Sequence, residues 1–170
     1  MERRMKCLSI VLALAVMGGA GTQAIADNGG QSAECKEITA RLIELTGTTF
    51  DRYSPSGDNV FFKKPDMHLS CMSHRITGVS LSWDDSGFPP NTWFNLLALA
   101  GKAVTGVDVR TLEVASHRCH RAALKEKSEL ADLDIPNAKI ECQAFTRHGG
   151  GVDIGIWIND HEARKWIEER

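Results

Sequence analysis

The chain has 170 residues, 42% of them hydrophobic and 25% charged, with a formal net charge of −2. That balance excludes a strongly basic surface, and with it nucleic acid or an anionic membrane as the main partner. No apolar run approaches the roughly twenty residues that a membrane-spanning helix needs.

The amino end carries Arg3, Arg4 and Lys6, then the apolar run Leu8 to Met17, then small residues from Gly18 to Gly21 and finally Ala24-Ile25-Ala26. A basic start, an apolar core of about ten residues and an A-x-A end are the three parts of a cleavable export signal. A buried amino-terminal helix is the rival reading. It would have to carry Gly18, Gly19 and Gly21, each costing about 1 kcal/mol relative to alanine. Residues 1–26 are therefore expected to be a signal peptide, 27–31 a flexible leader, and 32–170 a single globular domain in the periplasm or outside the cell. The surroundings of Arg3-Arg4 do not match a twin-arginine signal, and Cys7 precedes the apolar core, so it cannot become a lipid-bearing first residue. Cleavage after Ala26 leaves 144 residues with a net charge of −4.

Four cysteines then remain: Cys35, Cys71, Cys119 and Cys142. An even number in an exported chain points to two disulfides. A structural zinc site usually draws its ligands from closely spaced pairs, and these four are scattered. Three pairings are open, and the one that closes the shortest loops, Cys35–Cys71 with Cys119–Cys142, is expected.

In chain order, Ser32 caps a helix whose apolar stripe is Cys35, Ile38, Leu42 and Leu45, with Gly47 at its end. Thr48 to Tyr53 reads as a strand, Ser54 to Asp58 as a turn, and Val60-Phe61-Phe62 as a second strand that stops near Lys64-Pro65-Asp66. From Met67 to Trp83 apolar residues alternate with serines, the pattern of an antiparallel sheet with one buried side. Pairing the two runs would set Cys71 against Val79 and Leu69 against Leu81. A helix over Thr92 to Thr105 follows Pro89-Pro90-Asn91, and a second runs from Asp108 to about Lys127. Leu130 to Asn137 reads as a loop. The next hairpin sets Ala138, Ile140, Cys142 and Ala144 against Val152, Ile154, Ile156 and Ile158. A three-residue turn over His148-Gly149-Gly150 would place Cys142 opposite Ile156. Asn159 with Glu162 resembles a capping box for a last helix carrying Ala163, Trp166 and Ile167.

The expected fold is α+β: a mostly antiparallel sheet of five or six strands, helices packed on one face, and two disulfides.

Several motifs invite a chemical reading. His148-Gly149-Gly150-Gly151 copies the glycine string that offers backbone N–H groups to an oxyanion in some esterases. The nucleophile elbow it requires is absent, because Gly78-Val79-Ser80-Leu81-Ser82 lacks the closing glycine and Ser80 lies within an alternating strand. His117 and His120 stand one helical turn apart and could share a metal. With no carboxylate to complete the site, a solvated pair among Arg118 and Arg121 is expected. His161-Glu162 lacks the second histidine of a zincin helix, since Lys165 occupies that place. Asp132, Asp134 and Asn137 resemble the start of a calcium loop that Pro136 interrupts.

Trp83, Asp84, Asp85, Phe88 and Trp93 form the candidate binding loop. Aromatic faces beside acids suit a sugar, a cationic ligand or a partner protein. The same two tryptophans could instead plug the edge of the core. The leading expectation is a small exported binding or interaction protein for an unknown protein or small ligand, without a catalytic site or cofactor. The alternatives are a small hydrolase using Asp84 or Asp85 with a histidine supplied by the fold, and a metal-handling protein using His117 and His120.

Overall fold

The computed structural model describes residues 29–73, 76–85, 88–145 and 151–159. Three helices, α1 (Ala33–Thr46), α2 (Asn91–Thr105) and α3 (Val109–Ala123), cover one face of a seven-stranded sheet. The strands are β1 (Thr49–Tyr53), β2 (Asn59–Lys63), β3 (Met67–Ser73), β4 (Ile76–Trp83), β5 (Leu130–Ile135), β6 (Ala138–Ala144) and β7 (Val152–Ile158). Their order across the sheet is β1-β2-β3-β4-β7-β6-β5, and all six pairings are antiparallel. The α+β class and both disulfides agree with the sequence, while the sheet has one strand more than the upper count expected.

Local chemistry explains the helix limits. The Ser32 side chain accepts from the Cys35 backbone N–H at 3.1 Å, and Gly47, at φ 69°, ends α1 in the left-handed region that favours glycine. Gly106 ends α2 in the same way, at φ 72°. Asp108 caps α3 through the Thr111 N–H. This last helix stops at Ala123, a turn short of the expected Lys127. Ahead of α1, within the segment expected as a leader, Gly29–Gln31 form a 3-10 turn, and the Gly30 N–H donates to the Gly57 carbonyl at 2.6 Å.

The additional strand is β5, read from sequence as a loop. Ala131, Leu133 and Ile135 pair with Cys142, Ile140 and Ala138 on the helix-covered side, while Asp132 and Asp134 pair with Glu141 and Lys139 on the other. Its acids and the following Pro136 imitate a loop because an edge strand tolerates charge and needs hydrogen bonds on one side only. Pro136 and Asn137 make the two-residue turn into β6, with Asn137 at φ 64°. Both expected hairpin registers are displaced by two residues, so every side chain keeps its face. Leu69 opposes Val79 and Cys71 opposes Thr77. Cys142 opposes Ile154, and the β6–β7 ladder closes with Ala144 on Val152 and the Phe145 N–H on the Gly151 carbonyl. The expected tight turn at 148–150 and the expected last helix lie outside the described residues.

The core fills the space between sheet and helices. Leu69, Val79, Leu81, Ile140, Ile154 and Ile156 project from the sheet against Phe94, Leu97 and Leu112, all of them 2% exposed or less. Cys35–Cys71 ties α1 to β3, and Cys119–Cys142 ties α3 to β6. Each disulfide therefore links a helix to the sheet beneath it. No helix among the described residues is long and apolar enough to cross a membrane.

Candidate functional site

The other face of the sheet carries no helix. Period-two alternation gives it the residues between the core positions, largely polar, aromatic or glycine, with Leu130 an apolar member at the β5 edge. At its centre Trp157 on β7 pairs with Gly78 on β4 and Lys139 on β6. The indole lies flat across two glycines. A Cβ added at Gly78 would come within 2.2 Å of the ring Cε3, and one at Gly155 within 2.8 Å of Nε1. These glycines are required by close approach: any side chain at either position would lift the ring from the sheet. The Trp157 N–H is buried and has no acceptor among the described residues.

Two adjoining concavities open beside this ring. The first, about 440 Å³, is floored by Gly155 and Ser80 and walled by Trp157, Lys139, Glu141 and Asp132. The second, about 380 Å³, includes Arg52, Phe61, Lys63 and Asp84. Both are in the size range of small-ligand sites. His68 and Ser80 line both, so they form one continuous groove across the strands.

The charged groups in this groove are largely committed to each other. Lys139 Nζ sits 2.5 Å from Glu141 and 3.8 Å from Asp132. Ser82 donates to Asp153 at 2.6 Å. At the far end Asp51, the extra residue of a bulge in β1, pairs with both Lys63 and Arg52. The Lys63 hydrogen bond, reinforced by Arg52, holds the Asp51 carboxyl below the usual carboxylate value. Arg52 also lies 4.5 Å over the Phe61 ring. At the centre, the Ser80 hydroxyl is 3.0 Å from the His68 imidazole.

The residues of the candidate binding loop fall mostly elsewhere. Trp83 ends β4 half-buried against the core, and Trp93 is 7% exposed on α2 with its ring edge-on to Phe94. Phe88 is 73% exposed and meets His120 edge-on at 5.9 Å. Asp84 and Asp85 are exposed, and Asp84 alone of the five lines the groove. The five do not share one exposed surface. Ser80 lies mid-strand on the helix-free face, as its alternation predicts, although it is 5% exposed there, and Gly151 is the one residue of the glycine string among those described. His161 lies outside the described residues. Asp132 and Asp134 stand on β5.

His117 and His120 are not the solvated pair that their basic neighbours implied. His117 stacks on Phe94 with ring centres 3.8 Å apart, and His120 is 5% exposed with its Nε2 buried and unpartnered among the described residues. Burial pushes both imidazoles below the ordinary histidine value. Glu113, one helical turn before His117, is a carboxylate that the sequence reading of this pair passed over; it partly opposes the shift at His117, while the neighbouring His117 and Arg121 add to it at His120. The helix turn that could have presented both nitrogens to a metal instead turns the rings into the α2–α3 interface. No group of three metal-ligating side chains is gathered among the described residues.

Trp157, His68, Gly78 and Gly155 were not singled out from sequence. The available signal was an indole at a solvent-side position of β7, two residues from a glycine on the same face, with another glycine at the same parity in β4. Comparison of the chain with family models, with curated proteins and with solved structures finds no match in any of the three.

Proposed function

We propose that this chain is a small exported binding protein, stabilised by its two disulfides, that holds its ligand on the helix-free face of the sheet. The observation that carries this reading is the Trp157 ring seated on Gly78 and Gly155 beside a polar groove. Strand parity turns Trp157 away from the core, and its half-buried ring lines the concavity, where it adds aromatic surface to a polar groove. The groove also collects donors and acceptors on rigid strands, which hold a site more firmly than loops do. Export is supported by the signal-like segment over 1–26 and by the two disulfides, which persist in oxidising compartments.

The test is amide chemical-shift mapping of the mature protein against a library of small sugars, amines, aromatic acids and short peptides. Shifts centred on β4, β6 and β7 are the expected result. Shifts confined to the residues from Asp84 to Phe88, or to α3, would overturn the placement. Protein recovered from the cell that makes it should begin at Asp27 and titrate no free thiol; an intact Met1 with reduced cysteines would overturn export.

A second reading, a hydrolase, rests on the 3.0 Å contact between Ser80 and His68, with Asp84 lining the adjoining concavity. Ser80 is paired within the ladder on both sides, to His68 and to Gly155, so its strand has no turn to present spare N–H groups to an oxyanion. Covalent labelling by a fluorophosphonate, abolished by Ser80→Ala, would favour the hydrolase; absence of labelling favours the binder.

A further inference from the structure

We infer that the concavity beside Trp157 accepts a neutral saccharide, one pyranose ring lying on the indole and its hydroxyls meeting the Lys139–Glu141–Asp132 network. This rests on the reading of the helix-free face as the binding site and names the class of ligand it takes.

Three observations point to a sugar over other small ligands. The indole is held parallel to the sheet by two glycines, so it offers a fixed flat surface to the C–H face of a ring. The polar groups are both donors and acceptors: an ammonium at Lys139, carboxylates at Glu141 and Asp132, and the Gln143 amide two residues beyond Glu141 on the same face of β6. A hydroxyl both donates and accepts, so a polyol can satisfy each of them, whereas a phosphate or an ammonium would leave half unmatched. The third is charge. Lys139 pairs with Glu141 at 2.5 Å and stands 3.8 Å from the exposed Asp132, and Asp153 accepts from Ser82 at 2.6 Å, so Glu141 and Asp153 have close partners. An anionic ligand would face three carboxylates against one ammonium, and a cationic one would compete with Lys139 for Glu141. A neutral ligand can bridge the pairs as they stand. The concavity of about 440 Å³ has room for a short oligosaccharide rather than a single ring alone.

The reading also gives separate roles to the two ends of the wall. Trp157 supplies contact area and little direction, whereas Glu141 and Gln143 fix which hydroxyls fit. Loss of the ring should weaken every sugar that binds, while loss of Glu141 should change the ranking among them.

The experiment is titration calorimetry of the mature, oxidised protein with maltotriose, cellotriose and chitotriose, and with tetramethylammonium as the cationic comparison. At least one trisaccharide is expected to bind, with affinity falling tenfold or more in Trp157→Ala and in Gly78→Ala, which unseats the ring, and unchanged in Phe88→Ala. Glu141→Gln should alter the preference among the three. If Trp157→Ala does not fold, Gln143→Ala and Glu141→Gln carry the same comparison. Trp157-dependent binding of tetramethylammonium but of no trisaccharide would overturn the sugar while leaving the site in place. Sugar binding indifferent to Trp157, Gly78 and Glu141 would overturn both.

Discussion

The strand that carries Trp157 is fixed from behind by one close contact, and a single methyl tests it. Gly101 lies in the C-terminal half of α2, facing β7. A Cβ there would meet Ile156 Cδ1 at 2.6 Å, Ile156 Cγ2 at 3.1 Å and Leu112 Cδ1 at 3.1 Å. Two effects oppose each other in Gly101→Ala. Helix propensity favours alanine by about 1 kcal/mol in a helix interior. Overpacking a filled core costs about 1–3 kcal/mol. Ile156 and Leu112 are fully buried, so neither can yield toward solvent, and the upper part of that range applies. The net expectation is a loss of about 1–2 kcal/mol, or a fall in Tm of about 3–6 °C for a domain of this size. Ile156→Val removes the atom nearest the new methyl and alone costs about 1 kcal/mol. In the double variant the alanine methyl occupies the space of the missing Cδ1, so the two losses should fall short of their sum by about 1 kcal/mol or more. Urea denaturation of the four proteins measures the cycle. A Gly101→Ala protein more stable than the parent, or losses that simply add, would refute the close approach of α2 to β7.

Acid should destabilise the α2–α3 interface. The folded His117 and His120 sit below the ordinary histidine value of 6.5, so across the window just beneath it the unfolded chain binds more protons. Stability is therefore complete above that value and declines as pH falls through the window, and His120→Phe should flatten the decline in denaturant midpoint measured between pH 7 and 5. Replacing Cys119 and Cys142 together by alanine opens a loop of sequence separation 23 and should cost about 3 kcal/mol by the chain-entropy argument. The loss should show in urea titration under oxidising conditions and disappear when the parent is reduced. Asn137 holds φ 64° in the β5–β6 turn, so Asn137→Ala should cost about 1 kcal/mol while Asn137→Gly is near neutral in thermal melts.

The core was legible where burial and period coincide. The β6 run Ala138, Ile140, Cys142, Ala144 alternates over seven residues, and one face of α1 recurs at three- and four-residue steps, so both elements stand where the sequence puts them. The disulfide pairing followed from loop length alone. Register did not, because a shift by two preserves every apolar contact face and the sequence pattern has no term that distinguishes the alternatives. The bulge between Cys71 and Ser73 is one reason the first hairpin moved, since an extra residue on one strand changes the count across the turn. The strand β5 was missed for a different reason: its buried side holds only Ala131, Leu133 and Ile135, and its other side is acidic.

The site was less legible than the fold because tryptophan gives the same local signal in opposite environments. Trp83 and Trp93, flanked by prolines and acids, fitted either a surface patch or a plug at the edge of the core, and the structure has the first packed against the core and the second buried in it, as the plug reading requires. Trp157 stood in a plain alternating strand, and only its parity separated it from the isoleucines on either side. Parity puts Ile156 and Ile158 behind the sheet and Trp157 in front of it, so the indole must find its packing on the exposed face. It finds it across the strands, on Gly155 of its own strand and Gly78 of β4. That pairing is long-range: Gly78 and Trp157 become neighbours only because β7 inserts between β4 and β6 instead of following β5 at the sheet's edge. A glycine on a solvent-facing strand position, otherwise a weakness in a sheet, is here the complement of an aromatic ring 79 positions later in the chain.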